Sequence, residues 1–145
     1  MEDIGRIPPH SVESEQSILG SILLDKDAII TVTETIQPED FYKEAHKIIY
    51  ECMLKLNSKN EPIDLITLTE ELKKQDSLEN IGGISYITSL STIVPTTTNV
   101  KYYADIVKEK SVLRKLIKAS NDIIDLGYNN SVKVEQILEQ AEKKI

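Results

Sequence analysis

The chain has 145 residues, 40% hydrophobic and 28% charged, with five glycines, five prolines and 5% aromatics, a balance that excludes a disordered tail and fits one ordinary globular domain rich in helix formers. A single cysteine, Cys52, excludes an internal disulfide framework, and no apolar run approaches the ~20 residues a bilayer span requires. The net charge of −7 argues against free-standing nucleic-acid binding, where phosphate contacts dominate affinity.

Residues 1–10 read as an irregular arm, because Pro8-Pro9 cannot continue a helix; Ser11 then offers a hydroxyl cap. A first helix follows to about Leu24, with Val12, Leu19, Ile22 and Leu23 at helical spacing and Glu13 and Glu15 in the first turn, where the dipole favours them. Asp25 or Asp27 caps a second helix carrying Ile29, Val32 and Ile36, which Pro38 stops. Pro38-Glu39-Asp40-Phe41-Tyr42 is a turn opening a third, in which Ala45, Ile48, Ile49, Cys52, Met53 and Leu56 keep the helical period. Pro62-Ile63-Asp64 caps a fourth helix with Leu65, Leu68 and Leu72 inward. Gly82-Gly83 breaks the chain before a short fifth helix, Ile84 to Leu90, and Thr92 to Thr98 with Pro95 reads as a loop.

From Asn99 to Leu126 there is neither Pro nor Gly, so one helix of ~40 Å is predicted. Gly127 to Ser131 forms a polar turn, and a last helix carries Val134, Ile137, Leu138, Ala141 and Ile145. The predicted fold is all-α: a compact multi-helix head (11–98) followed by an antiparallel helical hairpin (99–145). The chain ends at Ile145 with the apolar pattern still running, which predicts a fragment of a longer protein.

In the second half of the long helix Val112, Leu113, Leu116, Ile117, Ala119, Ile123, Ile124 and Leu126 take roughly half the circumference, at about 100° per residue. One neighbour covers only a ~100° stripe. Either the head or another polypeptide must cover the remainder, and the pattern alone leaves both open.

Charge is uneven. Residues 1–98 carry 8 basic and 17 acidic groups, whereas residues 99–118 carry 6 and 2. Lys101, Lys108, Lys110, Arg114, Lys115 and Lys118 therefore define an alternative function, nucleic-acid binding, against the ordinary reading of a solvated face. No GxxxxGK(S/T) phosphate loop exists, and His10, His46 and Cys52 fit no closed metal site by spacing. Glu13 with Glu15, or Glu70 with Glu71, read as solvated acids before an acid–base pair. No catalytic, cofactor or metal residue is predicted, and the thiol count and the absence of a secretory signal point to the cytoplasm.

Several stretches together resemble the N-terminal domain of DnaB-type replicative helicases. They are Arg6-Ile7-Pro8-Pro9 through Glu13 to Gly20, Pro38 to Tyr42 with His46, Glu61-Pro62-Ile63-Asp64, Ile81-Gly82-Gly83, Pro95 with Asn99, Tyr103 to Lys110 with Leu113-Arg114, and the final Ala141 to Ile145. Ser14 stands where that family more often has alanine, and the family's RecA-like ATPase domain, with its ATP and magnesium, is absent. The resemblance implies pairing through hairpins into the collar of a ring-shaped hexamer (a trimer of dimers), docking of the C-terminal domain of DnaG primase, room for a helicase loader, and no direct DNA or membrane binding. It makes Val112, Leu113, Leu116, Ile124, Ile137, Leu138 and Ala141 the self-association surface, and Tyr86, Ile117 and Ile123 primase contacts. The competing reading makes Tyr86 a core-edge aromatic and both isoleucines hairpin seam.

Overall fold

The computed structural model describes residues 6–93, 99–129 and 133–145, so the expected turns through Pro95 and Ser131 lie outside the described residues. Among those described, the chain is all helical: α1 (Val12–Leu24), α2 (Ala28–Thr33), α3 (Glu44–Ser58), α4 (Leu65–Lys74), α5 (Gly83–Ile93), α6 (Val100–Gly127) and α7 (Val134–Lys144), with 3-10 turns at Pro38–Asp40 and Glu79–Ile81.

The caps follow from the sequence. Ser11 Oγ accepts the Ser14 amide at the start of α1, and Asp64 and Thr67 exchange bonds in a capping box at the start of α4. Asn60 (φ 57°) and Asp76 (φ 55°) take the left-handed conformation that reverses the chain after α3 and α4. There Glu61 N donates to Leu56 O and Ser77 N to Leu72 O, which satisfies two terminal carbonyls.

Two expected boundaries shift. The second helix ends at Thr33, and Ile36 is buried from the segment beyond it, where the Tyr50 hydroxyl donates to its carbonyl at 2.9 Å. The fifth helix runs on to Ile93, so Thr92 is helical rather than in a loop.

The chain divides into two compact units, His10–Ser111 and the described parts of Met1–Pro9 with Val112–Ile145. The core lies in the first, where Ile18, Leu19, Ile22, Phe41, Ile49, Tyr50, Met53, Leu56, Leu68, Leu72 and Ile87 are buried. The head takes in the first turns of α6 as well as residues up to 98. Val100, Ala104, Val107 and Ser111, spaced four, three and four residues apart, bury one stripe of that helix. Beyond Ser111 no residue of α6 is buried, and α7 buries none.

Candidate functional site

Two buried polar clusters brace the head. Glu15 sits in the first turn of α1, yet it is only 1% exposed. Its carboxylate accepts the Tyr42 amide at 2.7 Å, the Lys43 amide at 3.3 Å and His46 Nδ1 at 2.7 Å. His46 Nε2 lies 2.6 Å from the Tyr86 hydroxyl, which also accepts from Gln16 Nε2 at 3.2 Å. With Nδ1 protonated, Tyr86 donates to Nε2 and every donor in the chain meets an acceptor. A carboxylate, an imidazole and a hydroxyl in series resemble a catalytic triad, but Glu15 and His46 are buried and the tyrosine is tied at both sides. The arrangement fixes α1, α3 and α5 to one another.

Gly82 makes room for this clasp. Its φ of 108° is strained for any side chain, and a Cβ there would stand 2.9 Å from Tyr86 Cβ.

The second cluster surrounds Asp40, which is fully buried. It accepts the Gln37 amide at 2.8 Å, the Ser111 hydroxyl at 2.6 Å and Lys108 Nζ at 3.2 Å, and so anchors α6 to the 3-10 turn. Burial alone raises its pKa, but the bonds from Ser111, the Gln37 amide and Lys108 outweigh it and hold the carboxyl below its ordinary 3.8. Burial, with the charge of Asp40, pushes the Tyr50 hydroxyl up to about 12. Elsewhere the Lys55 ammonium, 3.1 Å from Glu71, holds that carboxyl low against its own burial, with Gln75 and Lys59 assisting. Burial and the Glu71 charge push the neighbouring Cys52 thiol up to about 11, against the pull of Lys55 and Lys59. Among the described residues no three His, Cys, Asp or Glu side chains gather as a metal-binding group.

The hairpin presents the opposite chemistry. Lys144 Nζ comes within 3.7 Å of Asp122, so the end of α7 returns alongside α6. Ala119, Ile123 and Leu126 on α6, with Ile137 and Ala141 on α7, are half-buried. Their i, i+4, i+7 spacing marks the seam between the two helices. Val112, Leu113, Leu116, Ile117 and Ile124 remain exposed on α6, as do Val134 and Leu138 on α7, with Leu116 at 62% and Val134 at 68%. A contiguous set of large aliphatic side chains at this exposure is the mark of an interaction surface.

Of the expected site residues, then, Val112, Leu113, Leu116, Ile117 and Ile124 share the uncovered face of α6, and Leu138 is exposed on α7. Ile123, Ile137 and Ala141 sit in the seam. Tyr86 belongs to the head, where its hydroxyl serves the Glu15 clasp. The sequence reads Glu15 as a solvated first-turn acid, whereas the structure buries it, and it gives Asp40 and Ser111 no site role. Glu15 stands four residues before Leu19 and seven before Ile22, which puts it in the apolar stripe of α1. That phase was the available signal.

The basic stretch is largely used internally. Lys101 pairs with Asp105 at 3.1 Å, Lys108 with Asp40, Lys118 with Asp122 at 3.1 Å, and Arg114 Nη1 donates to the Pro9 carbonyl at 2.8 Å. Cations already paired with carboxylates make a poor phosphate-binding track. No helix among the described residues is long and apolar enough to cross a membrane.

Fold and site together define a class: an all-helical domain with an uncovered apolar hairpin face and no reaction centre assembled among the described residues. Residues 7–109 match the DnaB-like helicase N-terminal domain, and the chain belongs to that family. It is 46% identical over 140 residues to the replicative DNA helicase DnaB of Geobacillus stearothermophilus, covering 97% of this chain and 31% of that protein. It therefore spans about a third of the length of the curated relatives it matches. The crystal structure of the N-terminal domain of DnaB helicase from Mycobacterium tuberculosis superposes with a TM-score of 0.90 at 39% identity, covering 95% of this chain and 97% of that one. A DnaB-like replicative helicase, described with its interactions with primase, superposes with a TM-score of 0.74 at 27% identity, covering 92% and 30% respectively.

Proposed function

We propose that this chain is the non-catalytic assembly and docking module of a replicative helicase, pairing with further copies of itself through the hairpin and recruiting a primase. The observation that carries the reading is the exposed aliphatic face of α6 and α7. Each large aliphatic side chain taken from water there contributes roughly 1.5–3 kcal/mol, so a handful suffices for stable association. Two such hairpins placed face to face would form a four-helix bundle, and a ring of six would be built from pairs of this kind. Val112, Leu113, Leu116, Ile124 and Leu138 are assigned to self-association, with Ile137 and Ala141 supporting them from the seam.

The likeness to a helicase described with its primase interactions supports a primase as the second partner. Ile117 on the exposed face of α6 and Ile123 in the seam are assigned to the primase, and Tyr86 of the head is assigned to it as a separate contact. On this reading the domain needs neither ATP nor magnesium, DNA is not its ligand, and a loader would be a further protein partner.

The test is a pull-down with the C-terminal domain of a DnaG-type primase, alongside light scattering over a concentration series. The parent chain should be retained by the primase domain and Ile117→Asp should not. Leu116→Asp should shift the scattering mass towards the monomer. Retention of Ile117→Asp at the parent level would remove the primase assignment, and a parent chain monomeric at every concentration would remove the pairing.

A further inference from the structure

The head holds a cavity of about 360 Å³ where α1 turns into α2 and α3 ends. The Glu15 clasp ties the first turns of α1 and α3. Ile22 stands seven residues beyond Glu15 and Asn57 eleven beyond His46, roughly 10 and 16 Å further at the helical rise. The cavity therefore lies at the opposite ends of those two helices. Ile22 and Ile29, 1% and 3% exposed, form its floor, and Pro62 and Ile63 form a wall. Asn60 creates the opening: at φ 57° it turns the chain off α3, and Pro62, without an amide, keeps 61–63 out of helix until Asp64 caps α4. A space of this size admits an aliphatic side chain.

The wall also presents backbone. The Glu61 amide is spent on the Leu56 carbonyl at 3.0 Å, and the Pro62 carbonyl accepts the Thr67 hydroxyl at 2.8 Å. Among the described residues no hydrogen bond reaches the Ile63 amide, the Ile63 carbonyl or the Glu61 carbonyl. A donor and an acceptor left open on one residue are what an extended peptide pairs with, since its own backbone supplies the complementary groups. Such a ligand can cover the wall and still satisfy its polar atoms, which removes the penalty for desolvating them.

Charge selects among peptides. Asp25 and Asp27 flank Lys26, and Glu61 and Asp64 flank Pro62-Ile63, which sets four carboxylates against one ammonium. Lys59, the next cation along the chain, is held 3.6 Å from the buried Glu71. The surroundings are therefore net negative and favour a basic occupant, whereas a second copy of this chain, at −7, carries the wrong sign. We infer that this cavity is a docking site for a basic, extended segment of a partner protein. An aliphatic side chain of that segment enters against Ile22, Ile29 and Ile63, its backbone pairs with Ile63, and its cations meet the four carboxylates. The site is separate from the aliphatic face of α6 and α7 and does not depend on it.

The experiment titrates the isotope-labelled chain with the peptide acetyl-Lys-Lys-Leu-Lys-Lys-amide and follows the backbone amides by NMR. Saturable shifts are expected at Ile22, Lys26, Asn57 and Ile63. The Ile63 amide proton should move downfield and exchange more slowly as it gains an acceptor. The same peptide with glutamate in place of lysine should bind roughly fivefold or more weakly at low salt, and added salt should narrow the gap. Glycine in place of leucine should abolish saturation. Glu61→Lys changes an exposed side chain, so it should weaken the lysine peptide by a similar factor with the circular dichroism of the parent. Leu116→Asp should leave this binding unchanged. The inference is overturned if no peptide gives a saturable shift, or if the lysine and glutamate peptides shift the amides equally. It is overturned as well if the shifts fall on α6 or α7 instead, or if Glu61→Lys binds as tightly as the parent.

Discussion

Replacing Glu15 by alanine strips three donors of their acceptor at once: the part-buried amides of Tyr42 and Lys43 and the buried His46 Nδ1. A buried group left unsatisfied costs about 1–3 kcal/mol, and the two part-buried amides belong at the low end, so the sum is about 3–5 kcal/mol. Against the roughly 5–15 kcal/mol that holds a typical domain together, that loss takes the head close to its unfolding threshold. The assay is equilibrium urea unfolding at neutral pH followed by far-ultraviolet circular dichroism. The midpoint should fall steeply with the slope unchanged, since the same surface is exposed on unfolding. Glu15→Gln keeps the volume and one acceptor oxygen, and it should fall between parent and alanine. A Glu15→Ala chain within about 1 kcal/mol of the parent would refute the clasp as a structural element.

Tyr86→Phe removes only the hydroxyl from the clasp and should cost about 1 kcal/mol in the same assay. Because Tyr86 is also assigned to the primase, retention should fall while stability stays largely intact; retention at the parent level would leave its role internal. Asp40 is held below its ordinary 3.8 in the folded chain, so its stabilising contribution is complete above that value and is lost as pH falls through the folded one. Urea midpoints should therefore drop as the solution is acidified below about 4, and Asp40→Asn should flatten that slope. Cys52, buried with its thiol at about 11, should react with a disulfide reagent at mildly alkaline pH only as fast as the chain unfolds; rapid native labelling would contradict its burial. Gly82→Ala, strained at φ 108° and crowded by Tyr86, should cost about 1–3 kcal/mol in urea unfolding.

What the sequence made legible was periodic. The stripe through Ile49, Cys52, Met53 and Leu56 predicted both α3 and the burial of its cysteine, and the half-circumference of apolar residues on α6 anticipated a face that α7 leaves partly open. The polar clusters were not legible as clusters. Glu15, His46 and Tyr86 are separated by 31 and 40 residues, and Asp40 and Ser111 by 71, so only the tertiary fold brings them together. Glu15 reads from sequence as a first-turn acid because local rules explain an acid there equally well. The spacing of Ile36 from Val32 fits a helix; the regular helix ends at Thr33, but the turn that follows keeps the Ile36 amide on the Val32 carbonyl at 2.8 Å and delivers the side chain to the core.

The two units therefore rest on different physics. In the head, buried polar atoms are matched almost completely: Ser21 Oγ is the one buried side-chain oxygen or nitrogen among the described residues without a hydrogen-bond partner. Such matching penalises any alternative arrangement of α1, α3 and α5, and it specifies a single structure. Beyond Ser111 the described residues of the hairpin include no buried side chain, and an isolated pair of helices with a half-closed seam is marginal in water. A partner that covers Leu116 and its neighbours binds the ordered hairpin and not the frayed one, so association and hairpin order are thermodynamically linked. Hydrogen exchange in α6 beyond Ser111 and in α7 should consequently slow with protein concentration, while exchange in α1 and α3 stays constant. Equal protection of both units at all concentrations would show that the hairpin is ordered without a partner.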